Sequence, residues 1–219
     1  MNIAIDGPAG AGKSTIARKL AEKLGYIYVD TGAMYRAMAL CVLNQGIDAK
    51  KEAQVVFAAE EADISIQYQQ GEQQVILNGE NVTGQIRKEA VSRMASSISV
   101  YPAVRKKLVA LQQKLAKTAD VIMDGRDIGT CVLPDAKVKI YLTASVEARA
   151  KRRFLELTEK GADCNLDEIK KDIEERDYRD MHREASPLKQ AEDAVLVDSS
   201  NMNIEEVVEA ILNIWQERQ

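Results

Sequence analysis

Ile3–Ser14 reads IAIDGPAGAGKS, a short apolar run that leads into the pattern G-x-x-x-x-G-K-[ST] between Gly7 and Ser14. Glycines let such a loop bend tightly and turn successive N–H groups toward phosphate oxygens, at the start of a helix that we place near Lys13. The Lys13 ammonium is then expected to reach the β- and γ-phosphates of a bound nucleotide, and the Ser14 hydroxyl to reach Mg²⁺. A glycine-rich turn without a ligand is the alternative, but the complete motif between a strand and a helix favours a nucleoside triphosphate site.

The chain has 219 residues, of which 46% are hydrophobic and 29% charged. This length and balance are typical of one globular α/β domain with room for a small insert. Lys and Arg number 30 against 34 Asp and Glu, for a net charge of −4, so the protein as a whole has no electrostatic reason to bind nucleic acid or an anionic membrane. Any affinity for anions must therefore be local.

The three cysteines, Cys41, Cys131 and Cys164, are far apart and form no C-x-x-C pair. We expect them to be reduced thiols, which favours a cytoplasmic location. We also expect neither a secretory signal nor a transmembrane segment, because the N-terminal residues enter a strand directly and no apolar run is long enough to span a bilayer.

Short apolar runs recur along the chain and are separated mostly by helical patterns. They lie at residues 2–6, 26–30, 121–124, 138–142 and 194–198. Continuous apolar strands that alternate with helices are typical of a parallel sheet covered on both faces. We therefore predict a doubly wound α/β fold with a five-stranded parallel sheet.

Helical periodicity is visible in residues 13–24, 34–44 and 102–117. Asn165 and Asn203 are each followed three residues later by a glutamate, an N-cap pattern that predicts two further helix starts.

Residues 63–83 break this α/β pattern. Apolar and polar residues alternate there, Gly71 interrupts the alternation, and Asn78-Gly79 is a hairpin turn sequence. We predict a small antiparallel β insert that packs on neighbours such as a helix over residues 85–99. The insert is either neutral or a flap that covers substrate.

This organisation divides the chain into three stretches. Residues 1–62 form the first part of the core, with the phosphate-binding loop and the first helices. Residues 63–84 form the β insert, which the helix 85–99 follows. Residues 100–219 continue the core and include a lid at about 149–164.

Arginines follow the predicted strand ends. Asp30-Thr31-Gly32 closes the second strand and opens a helix that carries Arg36, and Asp124-Gly125-Arg126-Asp127 closes the third. Because ligands of open parallel sheets bind outside the carboxyl ends of the strands, we expect both segments to face the same crevice as the phosphate-binding loop. Arg36 and Arg126 are then candidates for holding the phosphate of a second substrate, and Asp124 for reaching Mg²⁺. For each of these residues an ordinary surface charge is the alternative, and for Arg36 alone the two interpretations are evenly balanced. Their common position at the strand ends favours the functional one.

A later helix, residues 166–183, carries charges on the face that periodicity predicts to be buried. The stripe runs through Leu166, Ile169, Ile173, Arg176, Asp180 and Arg183. These charges either line the crevice or only pair with one another beyond the core. We favour the crevice, because Ser186-Pro187 ends the helix on the strand-end side.

A basic cluster follows the fourth strand, in a helix with a predicted cap near Ser145. Its members are Arg149, Lys151, Arg152 and Arg153. They form either a lid whose arginines reach the triphosphate during transfer or a solvated charged face. The candidate catalytic residues are Lys13, Arg126, Arg152 and Arg153.

Taken together, these motifs resemble those of the cytidylate kinases, a branch of the nucleoside monophosphate kinases. The resemblance covers essentially the whole chain and rests on GPAGAGKST at 7–15, DTGAMYR at 30–36, DGRDIGT at 124–130, PDAKVKIYLTAS at 134–145, RRFLEL at 152–157 and ERDYRD at 175–180. The phosphate-binding loop alone is generic, whereas DTGAMYR, GRDIGT and ERDYRD together are specific.

The resemblance implies transfer of the γ-phosphoryl group of ATP to CMP or dCMP, with Mg²⁺ as cofactor. It assigns ATP to Gly7, Pro8, Ala9, Gly10, Ala11, Gly12, Lys13, Ser14 and Thr15, and the metal to Ser14 and Asp124. It assigns cytosine to Thr31, Arg105, Asp127 and Arg183, the acceptor phosphate to Arg36 and Arg126, and the ribose to Ser96, Arg176 and Asp180. Thr31 departs from the serine of some members but keeps the hydroxyl, and the insert at 63–83 is similar to the nucleoside-monophosphate-binding insert of the family.

The chemistry of cytosine agrees with this assignment. Cytosine presents an amino donor beside a ring-nitrogen acceptor, which suit the Asp127 carboxylate and the guanidinium of Arg105 or Arg183. Uracil reverses both groups, so a good bidentate pair would favour cytosine by about 1–3 kcal/mol. An ionised carboxylate such as Asp180 accepts from two ribose hydroxyls. No general base is needed, because the attacking phosphate oxygen is already ionised at neutral pH.

Proteins other than cytidylate kinases also use this phosphate-binding loop, and they are the alternative interpretations of the sequence. A GTP-dependent switch is one, although no N-K-x-D guanine motif is present and the strand-end arginines favour an anionic second substrate. Another monophosphate, or a small metabolite such as shikimate, is the competing acceptor within the kinases. We expect a monomer, because no exposed apolar helix face is evident.

Overall fold

A computed structural model describes residues 1–219. The strands are β1 (Ile3–Asp6), β2 (Ile27–Asp30), β3 (Ile64–Gln69), β4 (Glu72–Leu77), β5 (Glu80–Asn81), β6 (Val121–Gly125), β7 (Val138–Thr143) and β8 (Val195–Asp198). The α-helices are α1 (Lys13–Leu24), α2 (Thr31–Asn44), α3 (Glu52–Glu61), α4 (Glu89–Ile98), α5 (Pro102–Ala116), α6 (Val146–Glu159), α7 (Leu166–His182) and α8 (Ile204–Glu217). No helix is both long and apolar enough to cross a membrane.

The main sheet has five strands in the spatial order β2-β6-β1-β7-β8. β1 pairs in parallel with β6 on one side and with β7 on the other, and all of its residues are buried. A strand buried on both faces has to be apolar throughout, which explains the continuous hydrophobic runs of the sequence. The predicted doubly wound parallel sheet is confirmed.

The register of β1 brings together three strand ends. Asp6, the last residue of β1, is paired with Gly125 of β6 and with Tyr141 of β7. The phosphate-binding loop therefore begins beside the segment that carries Arg126, as expected for ligand-binding loops at the carboxyl edge of a parallel sheet.

The second sheet is antiparallel, with the order β3-β4-β5. Its two turns contain Gln70-Gly71 and Asn78-Gly79, and all four of these residues have positive φ, the requirement of a tight two-residue hairpin turn. Ile64 and Leu77 are cross-strand partners and are both buried. The predicted antiparallel insert is confirmed.

The chain divides into two compact units. The first consists of Met1–Tyr28 and Asp120–Gln219, and the second of Val29–Ala119. Each has its own hydrophobic core. In the first unit, side chains of α1 and α8 pack on the apolar strands of the main sheet. In the second, α2 packs with α4, α5 and the small antiparallel sheet.

Helix ends follow local chemistry. α1 ends at Gly25, which has φ +69°, and α5 begins with Pro102 at its first position. The Asn165 side chain caps α7, and Asn203 forms a capping box with Glu206 at the start of α8. The two helix starts predicted from Asn165 and Asn203 are confirmed.

Three local features differ from the sequence-based expectation. The helix expected over 85–99 is a short 3₁₀ turn at Gln85–Arg87 followed by α4, because Lys88 between them has extended backbone angles. α3 was not predicted, and its N-cap residue Lys51 makes no side-chain capping bond that would have signalled it. Leu166, expected to begin a buried stripe, is 44% exposed because it lies in the first turn of α7.

Candidate active site

The phosphate-binding loop joins β1 to α1, the context that the motif predicts. Gly7 has φ +149°, and a Cβ at this position would lie 1.9 Å from the carbonyl oxygen of Leu142. No other residue type fits there without moving β7. Gly12 is the N-cap of α1 and offers no side-chain cap, so the amides of the first turn are left to a ligand.

Lys13 is only 6% exposed, although it carries an ammonium. Its Nζ donates a hydrogen bond to the carbonyl oxygen of Pro8 at 2.7 Å, which places the charge inside the loop. Burial, and next the positive charge of Arg126, hold the pKa of Lys13 well below its ordinary value, while Asp124 acts in the opposite direction. A buried ammonium close to a guanidinium is a strong attractor for an anion such as a phosphate group.

Ser14 and Asp124 are in direct contact. The Ser14 hydroxyl donates to Asp124 Oδ2 at 2.8 Å, and the Tyr28 hydroxyl donates to Asp124 Oδ1 at 2.9 Å. The Ser14 hydroxyl and the Asp124 carboxylate thus lie side by side. Such oxygen atoms are the hard ligands that Mg²⁺ prefers, and phosphate oxygens and water would complete its coordination. This pair therefore fits the magnesium ion of a nucleotide complex.

A network of buried charges lies beyond β6, on the segment Arg126-Asp127 and on α7. Arg126 Nε donates to Asp180 Oδ2 at 2.9 Å. Arg183 lies 3.7 Å from Asp180 Oδ1 and 3.9 Å from Asp127 Oδ1. Burial alone would raise the pKa of Asp180, but the positive charges of Arg126 and then Arg176 hold it below its ordinary value. Asp180 is therefore an ionised carboxylate near neutral pH.

The end of α7 fixes the position of Arg183. Its guanidinium donates two hydrogen bonds to the carbonyl oxygen of Ser186, at 2.8 and 2.7 Å, and Ser186 has φ +49° before Pro187. The predicted helix end at Ser186-Pro187 thus also orients an arginine of the charge network.

Asp6 is a buried site residue that the sequence analysis missed. Its two carboxylate oxygens accept hydrogen bonds from the amides of Ile128 and Gly129, both at 2.7 Å. These amides follow Asp127 directly and open a short π-helical segment, Ile128–Val132. Burial raises the pKa of Asp6 to about 6, against the lowering effect of the two amides. Its position as the last residue of the strand before the loop was the available signal.

The basic residues of α6 have separate environments. Arg149 is buried, Arg152 donates to the Ser199 hydroxyl at 3.2 Å and to the Ser199 carbonyl oxygen, and Arg153 is exposed and pairs with Glu156 at 2.9 Å. Lys151 is exposed. The four residues therefore do not share one surface.

In the second unit, Asp30 organises the start of α2. Its carboxylate caps the helix by accepting from the Ala33 amide at 2.9 Å, and it pairs with Arg36 at 2.8 Å. The side-chain amide of Gln73, on β4, bonds to both the backbone N–H and the backbone carbonyl of Asp30, at 2.8 and 3.2 Å. The insert is thus attached to the residue that holds Arg36. Thr31 is the first residue of α2 and is buried.

Arg105 and Ser96 belong to the same unit. Arg105 is buried, donates to the carbonyl oxygen of Ser99 at 3.2 Å, and lies over the ring of Tyr35 at 5.3 Å from its centroid. Ser96 is buried on α4. A buried arginine over an aromatic ring keeps its charge in a fixed orientation.

A model of the cytidylate kinase family matches residues 3–217. The chain belongs to the cytidylate kinase family. It is therefore an enzyme of the nucleoside monophosphate kinase class. The family membership predicted from the motifs is confirmed. The cytidylate kinase of Caldicellulosiruptor saccharolyticus is 54% identical over 215 residues, which cover 98% of this chain and 95% of that protein. That of Lactobacillus johnsonii is 50% identical over 219 residues, which cover 100% of this chain and 95% of that protein.

Solved structures that resemble this family member support the fold alone. An uncharacterized protein of Eubacterium ventriosum matches with a TM-score of 0.56 and 11% identity, covering 100% of this chain and 99% of that chain. A shikimate kinase of Bacteroides thetaiotaomicron matches with a TM-score of 0.52 and 12% identity, covering 99% and 98%. Identities this low carry no information about the acceptor.

Proposed function

We propose that this protein transfers the γ-phosphoryl group of ATP to CMP or dCMP, forming ADP and CDP or dCDP. The observation that carries the proposal is the buried charge network around Asp180, because Arg126, one of its members, is close enough to Lys13 to lower the pKa of that ammonium. The strand register supports this proximity, because Arg126 follows Gly125, the residue paired with Asp6 at the start of the phosphate-binding loop. Family membership over nearly the whole chain supports the same acceptor.

Each member of the network has a proposed part. The Asp127 carboxylate accepts from the cytosine amino group, and the Arg183 guanidinium donates to the ring acceptor, a pairing that uracil cannot make. Asp180, kept ionised by its arginine neighbours, accepts from ribose hydroxyls. Arg126 binds the acceptor phosphate. The predicted roles of the remaining acceptor residues rest on the family resemblance; these are Thr31, Arg36, Ser96, Arg105 and Arg176.

The loop and α1 are proposed to bind the triphosphate of ATP, with Lys13 opposite the β- and γ-phosphates. Ser14 and Asp124 would hold Mg²⁺, which neutralises charge on the phosphate oxygens when it is bound. Arg152 and Arg153 keep their proposed role at the transferred phosphoryl group. The three free thiols agree with the proposed cytoplasmic location.

Phosphoryl transfer between nucleotides requires little covalent chemistry from the protein. The attacking phosphate oxygen of the acceptor is ionised at neutral pH, so the chain has to align it with the γ-phosphorus and stabilise charge on the transferring oxygens. The buried Lys13 and the partly buried Arg126 provide positive charge for this purpose, and removal from water strengthens each interaction.

The test is ADP formation with ATP and Mg²⁺ in the presence of CMP, dCMP, UMP, AMP, GMP, shikimate or no acceptor. We expect rapid turnover with CMP and dCMP only. Lys13→Met preserves the buried volume but removes the charge, so it should lower kcat by about 10³-fold or more without lowering the thermal unfolding temperature. Turnover with a different acceptor would contradict the cytosine assignment, and ADP formation that needs no acceptor would contradict the kinase.

A further inference from the structure

Arg149 on α6 makes three contacts from a buried position. It is 4% exposed, and its Nε donates to the carbonyl oxygen of Ala144 at 2.9 Å. Its Nη1 donates to the carbonyl oxygen of Ala9 at 3.0 Å, and its Nη2 lies 2.6 Å from Asp177 Oδ2. One planar guanidinium therefore joins the end of β7, the phosphate-binding loop and α7.

The contact with the loop is a packing contact as well as a hydrogen bond. A Cβ on Gly10 would lie 3.3 Å from the Cβ of Arg149, so the loop backbone lies directly on this side chain. The Ala9 carbonyl belongs to the same turn. The position of the loop is thus set partly by α6.

The contact with α7 reaches the helix that carries the charge network. Asp177 is 8% exposed and lies between Arg176 and Asp180 along α7, and Asp180 binds Arg126 at 2.9 Å. The guanidinium of Arg149 therefore connects the loop expected to hold the donor phosphates with the helix expected to hold the acceptor.

Stability is a poor explanation for this ion pair. Burying two charges costs solvation free energy that their attraction often fails to recover, and well-packed apolar residues are commonly as stable. Asp177 Oδ1 is buried without a hydrogen-bond partner, which adds to the cost. An apolar pair could not replace the hydrogen bonds of Arg149. Its planar guanidinium directs N–H donors both to the Ala9 carbonyl of the loop and to Asp177 on α7.

We propose that Arg149, held by Asp177, is a positioning residue that aligns the donor phosphates on the loop with the acceptor on α7. This inference rests on the proposed function. Phosphoryl transfer depends on in-line placement of the attacking oxygen, and a displacement of about 1 Å can reduce the rate by about 10²-fold. Loss of the link should therefore lower kcat much more than it changes the binding of either substrate.

The experiment compares Arg149→Lys and the double variant Arg149→Met/Asp177→Leu with the wild type. Lysine keeps a charge opposite Asp177 but cannot hold both carbonyls in the geometry of the fork. The double variant removes both charges and so avoids a buried unpaired ion. With ATP and CMP as substrates we expect kcat to fall by about 10²-fold in the double variant and by a smaller factor in Arg149→Lys, with each KM within about 3-fold of the wild type.

The second readout is the ratio of ADP to CDP formed. A misaligned acceptor leaves the γ-phosphorus open to water, so the ratio should rise above the wild-type value of one. Partial unfolding would reduce both products equally and leave the ratio unchanged. Glu147→Gln is the matched control, because Glu147 pairs with Lys170 at 2.7 Å between the same two helices but is exposed and does not touch the loop.

Wild-type kcat and product ratio in the folded double variant would overturn the positioning role, as would an equal effect of Glu147→Gln. A parallel rise in both KM values with kcat preserved would also overturn it. Failure of the proposed function can be distinguished from failure of the positioning role, because the wild type itself would then form no CDP.

Discussion

At the scale of single residues, the site is built from charges that are buried and therefore strongly coupled to their neighbours. Lys13 and Asp180 are buried and Arg126 is partly buried, and each has a pKa moved by burial or by neighbouring charges. Low local dielectric makes such fixed charges effective in stabilising a transition state, and it makes them costly when they lack a partner.

Asp6 shows that burial is costly even for a carboxylate that accepts two hydrogen bonds. Its pKa is about 6 in the folded protein, because burial outweighs the two amide hydrogen bonds, whereas an unfolded aspartate has a pKa of about 3.9. Between these values the folded chain binds a proton that the unfolded chain does not. The free energy of unfolding should therefore decrease as pH rises from 4 to 7 by about 3 kcal/mol from this group, and stay level above that range.

The measurement is urea unfolding without nucleotide at a series of pH values, for the wild type and Asp6→Asn. Asparagine does not titrate, so the difference in unfolding free energy between the two proteins isolates the Asp6 carboxyl. We expect the wild type to lose stability relative to Asp6→Asn as pH increases. A difference that is constant from pH 4 to pH 8 would show that Asp6 stays ionised throughout.

At the scale of elements, the phosphate-binding site is built from β1, the phosphate-binding loop and α1. β1 is the central strand of its sheet, and its end is paired with both β6 and β7. The loop must pass close to the backbone of β7, which only a glycine at position 7 permits. The geometry of the loop is thus imposed by the sheet as well as by its own sequence.

Gly7→Ala should be far more harmful than a glycine replacement that adds only backbone strain. A Cβ at Gly7 would collide with the Leu142 carbonyl, so we expect a loss of about 3 kcal/mol or more in unfolding free energy together with loss of ATP binding. Gly25→Ala is the control, since Gly25 has φ +69° with no atom near its Cβ position, and it should cost only about 1–2 kcal/mol.

Urea unfolding and equilibrium ATP binding would measure both effects. Gly25→Ala is expected to keep wild-type ATP affinity, because it changes only the C-terminal end of α1. Equal losses of stability in the two variants, or normal ATP affinity in Gly7→Ala, would argue against close packing of the loop on β7.

At the scale of the whole molecule, two compact units are formed by a chain that leaves the first after Tyr28 and returns to it at Asp120. Each unit buries its own apolar core, so each has an independent source of stability. Of the large apolar residues left exposed, Phe57, Leu155 and Leu196 belong to different elements, whereas Leu166, Tyr178 and Met181 are all on α7. Single exposed apolar residues are ordinary on a protein surface.

We therefore predict a monomer. Light scattering coupled to gel filtration should give a mass near 24.2 kDa at micromolar concentration, with and without saturating CMP. A mass near twice this value would contradict the monomer. Phe57→Ser and Leu155→Ser would then identify which surface is involved.

Much of the fold was predictable because its signals are local. The central strands are continuous apolar runs, and the ends of α1, α7 and α8 are set by glycine or asparagine within one turn. The loop motif likewise combines backbone freedom, a lysine and a hydroxyl in one short segment. α3 was missed because it carries no capping side chain and only a weak apolar stripe.

Residue type and spacing are enough to predict the nucleotide-binding loop and the parallel sheet, whereas the candidate acceptor residues came largely from the resemblance to the cytidylate kinases and stay predictions. Tertiary structure alone decided which charges are buried together. Asp6 meets the amides of Ile128 and Gly129, and Arg149 meets Ala9 and Asp177, only after distant segments have packed. The free energy of a charge depends on its solvent and its partners, and neither is encoded by neighbours in the chain.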